Sequence, residues 1–587
     1  MSALINALDR HTSKQIGENG HAEYGWSNNI RERILQFSFQ LTRTDERGLQ
    51  NLSEKLCDML IVLKAQQSSF VKNSSEHVVV TEYLIILYKM IGQTRDIVDG
   101  KGECSLTYMM IYTWFQFYPE LTLYAVKCLV NFGDDGKTHQ YGSWKDIKYF
   151  CSYCHKKGCP LDHPLIQYAI NIVNDQIKTD YANLVSNSDE ISLAGKWVPR
   201  EKSGRFGWMY EALACNYFPR YIETAFKESS KVSAIIKSKM EYRNVLSALN
   251  RKIDTLQIKQ CGKNWAEIDF KKVTSVSLSK QRKAFLNVTK KGEPRFPDVK
   301  DRVECAEHFN DHIQKAVRGE VEMKGKRIGL ENFTKQALEL NLQHHTSSLA
   351  EKSLLNSQWR DNSSQTGALS DMIAMVDTSG SMCGDPLNAA IALGIRVAEK
   401  SKLGKRVLTF SASPKWVNLE GQNDFTSMVQ TLQRADWGMN TNFDAALNMI
   451  LDAIVEAKME PEDVEGLTLA IFSDMQMDSA DVANRDTNGL YDRIRTKYAD
   501  AGMRVKGKPY KPPHILFWNL RSTSGFPVLS TQQNASMMSG FSAAMLNLFC
   551  EQGITSLQAC SPWSIFLRGL ENERYSIMET KAREFFL

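Results

Sequence analysis

The chain has 587 residues, 43% hydrophobic and 24% charged, with a formal net charge of +5. That length predicts two domains or more, and the composition is that of a soluble globular protein. Twelve cysteines are too few for a disulfide-rich scaffold and are expected as reduced thiols. MSALINALDRHTSKQ (1–15) holds no apolar run of signal-peptide length, and YLIILYKMI and MMIYTWFQFY reach about half a membrane span. An intracellular, cytoplasmic protein with no membrane partner is the expectation, with the nucleus or a virion as alternatives.

Residues 1–345 carry helical signals. Leu52, Leu56, Leu60 and Leu63 recur at spacings of four, four and three, the period of an amphipathic helix. TEYLIILYKMIGQ (81–93) and LTYMMIYTWFQFYPELTLYAVKCLVNF (106–132) are apolar on more than one side and suit buried helices. IVDGKGE, FGDDGKTHQYGSW and KKGCPLDHP punctuate them. Helices with short breaks over this length suggest a solenoid, although no clean repeat period is visible. CSYCHKKGCPLDH (151–163) offers Cys151, Cys154, Cys159 and His163, ligand types that suit zinc. The same residues also suit a helix end and turn that carry thiols.

From Lys196 to Lys300 there are 23 Lys and Arg against 10 Asp and Glu, an excess of 13 in a chain of net +5. A basic segment on an otherwise acidic chain points to a polyanion such as nucleic acid, the alternative being a solvated face. KWVPREKSGRFGW (196–208) mixes Lys196, Arg200, Lys202 and Arg205 with Trp197, Phe206 and Trp208, cations for phosphates and rings for bases. Those rings also suit plugging a core. Lys271, Lys272, Lys280, Arg282 and Lys283 make a second patch, which one helix face does not hold entire.

HHTSSLAEKSLLNSQWRDNSSQTGA (344–368) is polar and Ser-rich, so a linker is expected over 346–370. From 371 to 587 the pattern becomes strand–helix. MIAMV (372–376), LTLAIF (467–472) and HILFW (514–518) are apolar strands, and VLTF (407–410) with KWVNL (415–419) reads as a hairpin. PLNAAIALGIRVAEKS, FTSMVQTLQRA, FDAALNMILDAIVEAK and SMMSGFSAAMLNLFCE read as helices. Alternation with fully apolar strands predicts a parallel sheet covered on both faces, with one antiparallel edge.

Asp377, Ser379 and Ser381 follow the first of these strands, Asp474 follows LAIF, and Thr441 precedes a helix. If the strands are parallel, these oxygens converge on one sheet edge, where such sheets bind ligands. Hydroxyls, carboxylates and waters suit a small hard cation such as Mg2+, with Mn2+ or Ca2+ as alternatives. The bland readings are capping for Thr441 and Asp444, a helix start at Asp385 and Pro386, and a turn for the serines.

Asp377-x-Ser379-x-Ser381, Thr441 and Asp474, in three loops in this order, resemble the metal-ion-dependent adhesion site of a von Willebrand factor type A domain. RDIVDGKGECSLTYMMIYTWFQFYPE (95–120), YGSWKDIKYF (141–150), SLAGKWVPRE (192–201), residues 248–285, FSDMQMD and HILFWNLR resemble Ro/TROVE RNA-binding proteins. They look most similar to the Ro-like proteins of plants and large DNA viruses, and the likeness spans roughly 90–550. It implies an α plus α/β chain: a HEAT-like helical-repeat ring or solenoid over 1–345, closed by a doubly wound von Willebrand A domain over 371–587. It also implies binding of single-stranded RNA ends or small structured RNAs, and a divalent cation that a protein partner's carboxylate completes.

No phosphate-binding Gly-x4-Gly-Lys motif, His-Glu-x2-His or Gly-x-Ser-x-Gly occurs. The expectation is therefore a non-enzymatic RNA-binding protein. The alternative is a metal-dependent protein-interaction or structural module of a large assembly, such as a viral one.

Overall fold

Leu52, Leu56, Leu60 and Leu63 all lie in the core, on the inner face of a helix that runs Glu46–Ser69. In this computed structural model the described residues are 14–17, 22–131, 139–343, 346–411, 413–435, 442–476, 490–523, 525–550 and 557–587. The apolar stretch at 106–132 forms two helices, Cys104–Phe115 and Pro119–Cys128, broken where Pro119 has no N–H to continue the first. Among the described residues no helix is long and apolar enough to cross a membrane.

A short antiparallel pair, β1 (Lys14–Ile16) and β2 (Ala22–Tyr24), precedes the helices. The main sheet contains β3 (Met372–Asp377), β4 (Arg406–Phe410), β5 (Lys415–Asn418), β6 (Thr468–Ser473), β7 (His514–Asn519) and β8 (Ala535–Ser539). Its order is β5-β4-β3-β6-β7-β8, parallel except for the β4–β5 hairpin. The chain is thus helical in its first part with a mixed α/β sheet in its second.

The strands are apolar throughout because both faces are covered. Ile373 and Met375 of β3 join one core; Met372, Ala374 and Val376 alternate into the other. Helix Asp385–Lys400 lies close on this second face, and a Cβ on its Gly394 would meet Val376 at 2.5 Å. Gly384, at φ +97°, caps that helix; Asp385 and Pro386 open it one residue earlier than a cap at Asp385 implies.

Two expectations are corrected. Residues 346–363 form a helix, Thr346–Ser363, and not a linker. Leu354, Leu355 and Trp359 are buried, and Trp359 stacks on Phe425 at 4.0 Å. Its polar residues are also used inside: Gln358 Nε2 donates to Lys324 O at 3.0 Å, and Asn362 Nδ2 to Gly325 O at 3.2 Å. The stretch 536–551, read as a helix, begins as β8, whose residues pair with β7 and are buried, and continues as a 3-10 helix, Ala543–Phe549.

The division at 345 does not divide the core. One continuous core contains helices of residues 30–249, one face of the sheet and the C-terminal helices Pro562–Leu570 and Ser576–Phe586.

Candidate functional site

β3 and β6 are neighbours, and the chain leaves them in opposite directions: β3 leads to β4, while β6 leads to β7 on the other side. Such a reversal opens a crevice at the carboxyl ends of the strands. Asp377 ends β3 and Asp474 directly follows β6, so both reach this crevice, and neither is exposed. Asp377 Oδ1 accepts from Ser379 N at 2.9 Å, and its Oδ2 accepts from the Ser473 hydroxyl at 2.6 Å. The Ser379 and Ser381 hydroxyls lie 3.1 Å apart. Asp474 Oδ1 accepts from Gln476 N at 3.1 Å. Thr441 lies outside the described residues.

Burial, together with the neighbouring charge of Asp474, pushes the Asp377 carboxyl up to about 7. Two buried carboxylates beside serine hydroxyls fit a small hard cation, which relieves their repulsion and takes oxygen donors. Asp377, Ser379, Ser381 and Asp474 are the described residues that would hold it. Among the described residues no group of three or more His, Cys, Asp or Glu side chains is placed to hold a metal ion. The strand-end set has only two such residues and draws its other donors from serines.

Sequence reading missed two members of this site. Ser473 faces Asp377 only because β6 pairs in parallel with β3. Arg521, just past β7, donates to Ser381 O at 3.0 Å and lies 3.7 Å from Asp474 Oδ2. Beside it a cleft of about 900 Å³ opens from Ser381 and Asp385 toward Arg43 and Arg47 of the helical part.

The zinc expectation meets a different use of its residues. Cys151 and Cys154 are buried on helix Trp144–Lys156, where burial pushes the Cys151 thiol up to about 12. His163 Nδ1 instead accepts from Leu165 N at 3.2 Å and caps helix Pro164–Val185, and Cys159 is buried in the preceding turn.

The basic stretch divides in two. Around 196–208 the structure adds residues from helix Trp144–Lys156. Lys148 and Tyr149 meet Trp197, Arg205 and Phe206, and Lys145, one turn back, lies 5.0 Å from the Tyr149 ring centroid. Lys148 Nζ lies 4.8 Å from the Trp197 ring centroid, 5.4 Å from Phe206 and 6.0 Å from Tyr149. Arg205 lies 5.0 Å from both Tyr149 and Phe206. Burial, then the charges of Lys145 and Arg200, depress Lys148. Glu201, the acid of this stretch, is engaged elsewhere, by Lys239 at 3.0 Å and Arg243 at 2.8 Å. Arg200, Lys202 and Arg205 are exposed, and Lys196 is half-buried beside Trp197. Trp197, Phe206 and Trp208 are half-buried, so each ring both packs and shows an edge or face.

The second patch does not assemble as expected. Arg282 donates to Glu351 at 2.6 Å and Lys283 lies 3.7 Å from it; Glu351 is buried, and the pair neutralises it. Lys271 and Lys272 remain exposed.

Two family models match. Residues 371–578 match one described as a domain of unknown function (DUF7788), and residues 165–362 match another domain of unknown function (DUF2828). The chain is also similar to an uncharacterized protein, L728, of Acanthamoeba polyphaga mimivirus. The two are 28% identical over 510 residues, covering 83% of this chain and 79% of the viral one.

Proposed function

We propose that the chain is a non-enzymatic, cytoplasmic RNA-binding protein that takes single-stranded RNA on the face built from residues 145–149 and 196–208. The carrying observation is Lys148: its ammonium sits within 6.0 Å of three aromatic rings, among like charges, with the local acid Glu201 turned to other partners. Such a cluster is costly until a polyanion neutralises it. Half-buried rings beside it suit unstacked bases, which single strands present and duplexes do not.

In this reading the helical part is a Ro-like helical-repeat array and residues 371–587 are a von Willebrand A-like domain holding Mg2+ or a similar cation. The sheet order, with two buried carboxylates at its reversal point, supports that likeness. The cation supplies a fixed positive charge at the sheet edge and no chemical step.

Reversing Lys148, Arg200, Lys202 and Arg205 to Glu is expected to weaken single-stranded RNA binding at least about tenfold. The slope of log affinity against log salt should become shallower by about 0.7 for each phosphate that the variant no longer neutralises. Unchanged affinity and slope would remove this face from the reading.

A second reading, a metal-dependent protein-interaction module, draws on the cleft of about 900 Å³ beside Ser381. Arg43, Arg47 and Arg521 on its walls outnumber the acids there, Asp45 and Asp385, which favours an acidic partner. The two readings separate on one variant. Asp377→Ala leaves RNA binding intact in the first and abolishes Mg2+-dependent partner binding in the second.

A further inference from the structure

A second cleft, of about 300 Å³, lies where the helical part meets the sheet. Its wall comes from the turn after helix Ser75–Arg95, the segment before helix Leu330–Asn341, helix Asp385–Lys400 and the residues after β8. Five of its side chains are cationic, Arg43, Lys101, Lys326, Arg327 and Arg396, and one, Glu331, is acidic.

Two of the cations have carboxylate partners. Arg43 pairs with Glu103 and Glu331, both at 2.9 Å, and Lys326 with Glu322 at 3.3 Å and Asp361 at 3.5 Å. The other three donate their hydrogen bonds to neutral groups, with Glu399, Glu103 and Asp96 acting on them from further away. Arg396 is unexposed; its terminal nitrogens donate to Thr366 Oγ1 at 2.8 Å and Asn362 Oδ1 at 2.7 Å, and its Nε has no hydrogen-bond partner. Glu399, on the same helix, is engaged by Trp359 Nε1 at 3.0 Å and Ser363 Oγ at 2.9 Å. Lys101 is buried and donates to Ser38 O at 2.8 Å, Leu41 O at 3.1 Å and Ser539 Oγ at 2.6 Å. Arg327 stands exposed at the rim, donating to Ile97 O and, at 3.4 Å, to Gln365 Oε1.

Arg396 and Lys101 are buried with only a longer-range carboxylate each, Glu399 and Glu103, and in a low-dielectric wall the field they leave is poorly screened. Burial depresses both, Arg396 to about 10 and Lys101 to about 7. An anion seated above them offsets that cost. The rim supplies direct donors in Arg327 and Lys326, and Phe541, with Arg43 4.6 Å from its ring centroid, supplies an apolar wall.

We propose that this junction cleft is a binding site for a phosphate group, borne by a small monoester of about mononucleotide size. The fork of Arg327 suits a phosphate bidentately, and the buried pair supplies the field beneath it. This site shares no residue with the RNA face, so either can fail alone.

The test titrates full-length protein with AMP, inorganic phosphate and adenosine at low ionic strength, by calorimetry and by melting temperature. AMP is expected to bind saturably and raise the melting temperature, while adenosine does neither. Inorganic phosphate weaker than AMP assigns the group to an ester; inorganic phosphate equal to AMP assigns it to the free ion and overturns the ester. Arg327→Glu should weaken AMP at least about tenfold, and Lys326→Glu should weaken it in the same direction, each read against that variant's own unliganded melt. No effect of AMP or phosphate, adenosine binding as well as AMP, or unchanged AMP affinity in Arg327→Glu would overturn the site.

Discussion

At the residue scale, the strand-end carboxylates do different work from the oxygens around them. Asp377 accepts from Ser473 on the neighbouring strand, which fixes its orientation as an outer partner fixes a metal ligand. Asp377→Ala is therefore expected to abolish Mn2+ binding measured by calorimetry. Ser473→Ala, which leaves every proposed ligand in place, should weaken it about tenfold to a hundredfold. Unchanged Mn2+ affinity in Asp377→Ala would sink the cation assignment. Asp377, Ser379, Ser381 and Asp474 were legible because an apolar run followed by an oxygen marks a strand end. Ser473 and Arg521 were not. Their roles depend on the register of β6 against β3 and on where the chain goes after β7, which no local pattern contains. Arg282 and Lys283 failed the other way: their charge was legible, but the buried Glu351 that absorbs it lies on a helix whose polar sequence suggests a linker.

At the element scale, the turn Arg95–Glu103 fastens the molecule. Arg95 forks onto buried Asp146 at 2.7 and 2.8 Å, where Tyr108 also donates at 2.6 Å. The unexposed Asp96 takes the fork of Arg574 at 2.7 and 2.6 Å. Glu103 takes Arg43, and Lys101 reaches β8 through Ser539. RDIVDGKGE is conspicuous as sequence, and its charged residues prove to be structural contacts between distant segments. Asp96→Asn leaves Arg574 facing a neutral amide and is expected to cost about 3 kcal/mol, read as a lower urea midpoint. An unchanged midpoint would show that the turn is not a fastening. Helix Thr346–Ser363 and β8 escape local patterns for related reasons. Gln358 and Asn362 of the first satisfy backbone carbonyls of residues 324–325, and the Met-rich run of the second is set by pairing with β7.

At the scale of the whole molecule, the two parts fold as one piece. Helix Ser576–Phe586 lies against helix Ser75–Arg95, with Lys89–Glu579 at 2.5 Å and Arg583–Glu82 at 2.7 Å. β2 meets the segment after β7, Tyr24 N donating to Phe526 O at 2.9 Å. These contacts, and a core shared by helices and sheet, place the junction cleft inside a rigid framework and leave the cation–aromatic face on helix Trp144–Lys156 and residues 196–208. On the proposed reading, RNA affinity comes from that face and persists without a metal. The most direct measurement is photo-crosslinking of a 4-thiouridine-labelled single-stranded RNA to the full chain in the presence of a metal chelator, with the attachment sites mapped by mass spectrometry. Attachment at Tyr149, Trp197 or Phe206 is the expected result. RNA that fails to bind at physiological salt, or attaches only to other surfaces, would contradict it.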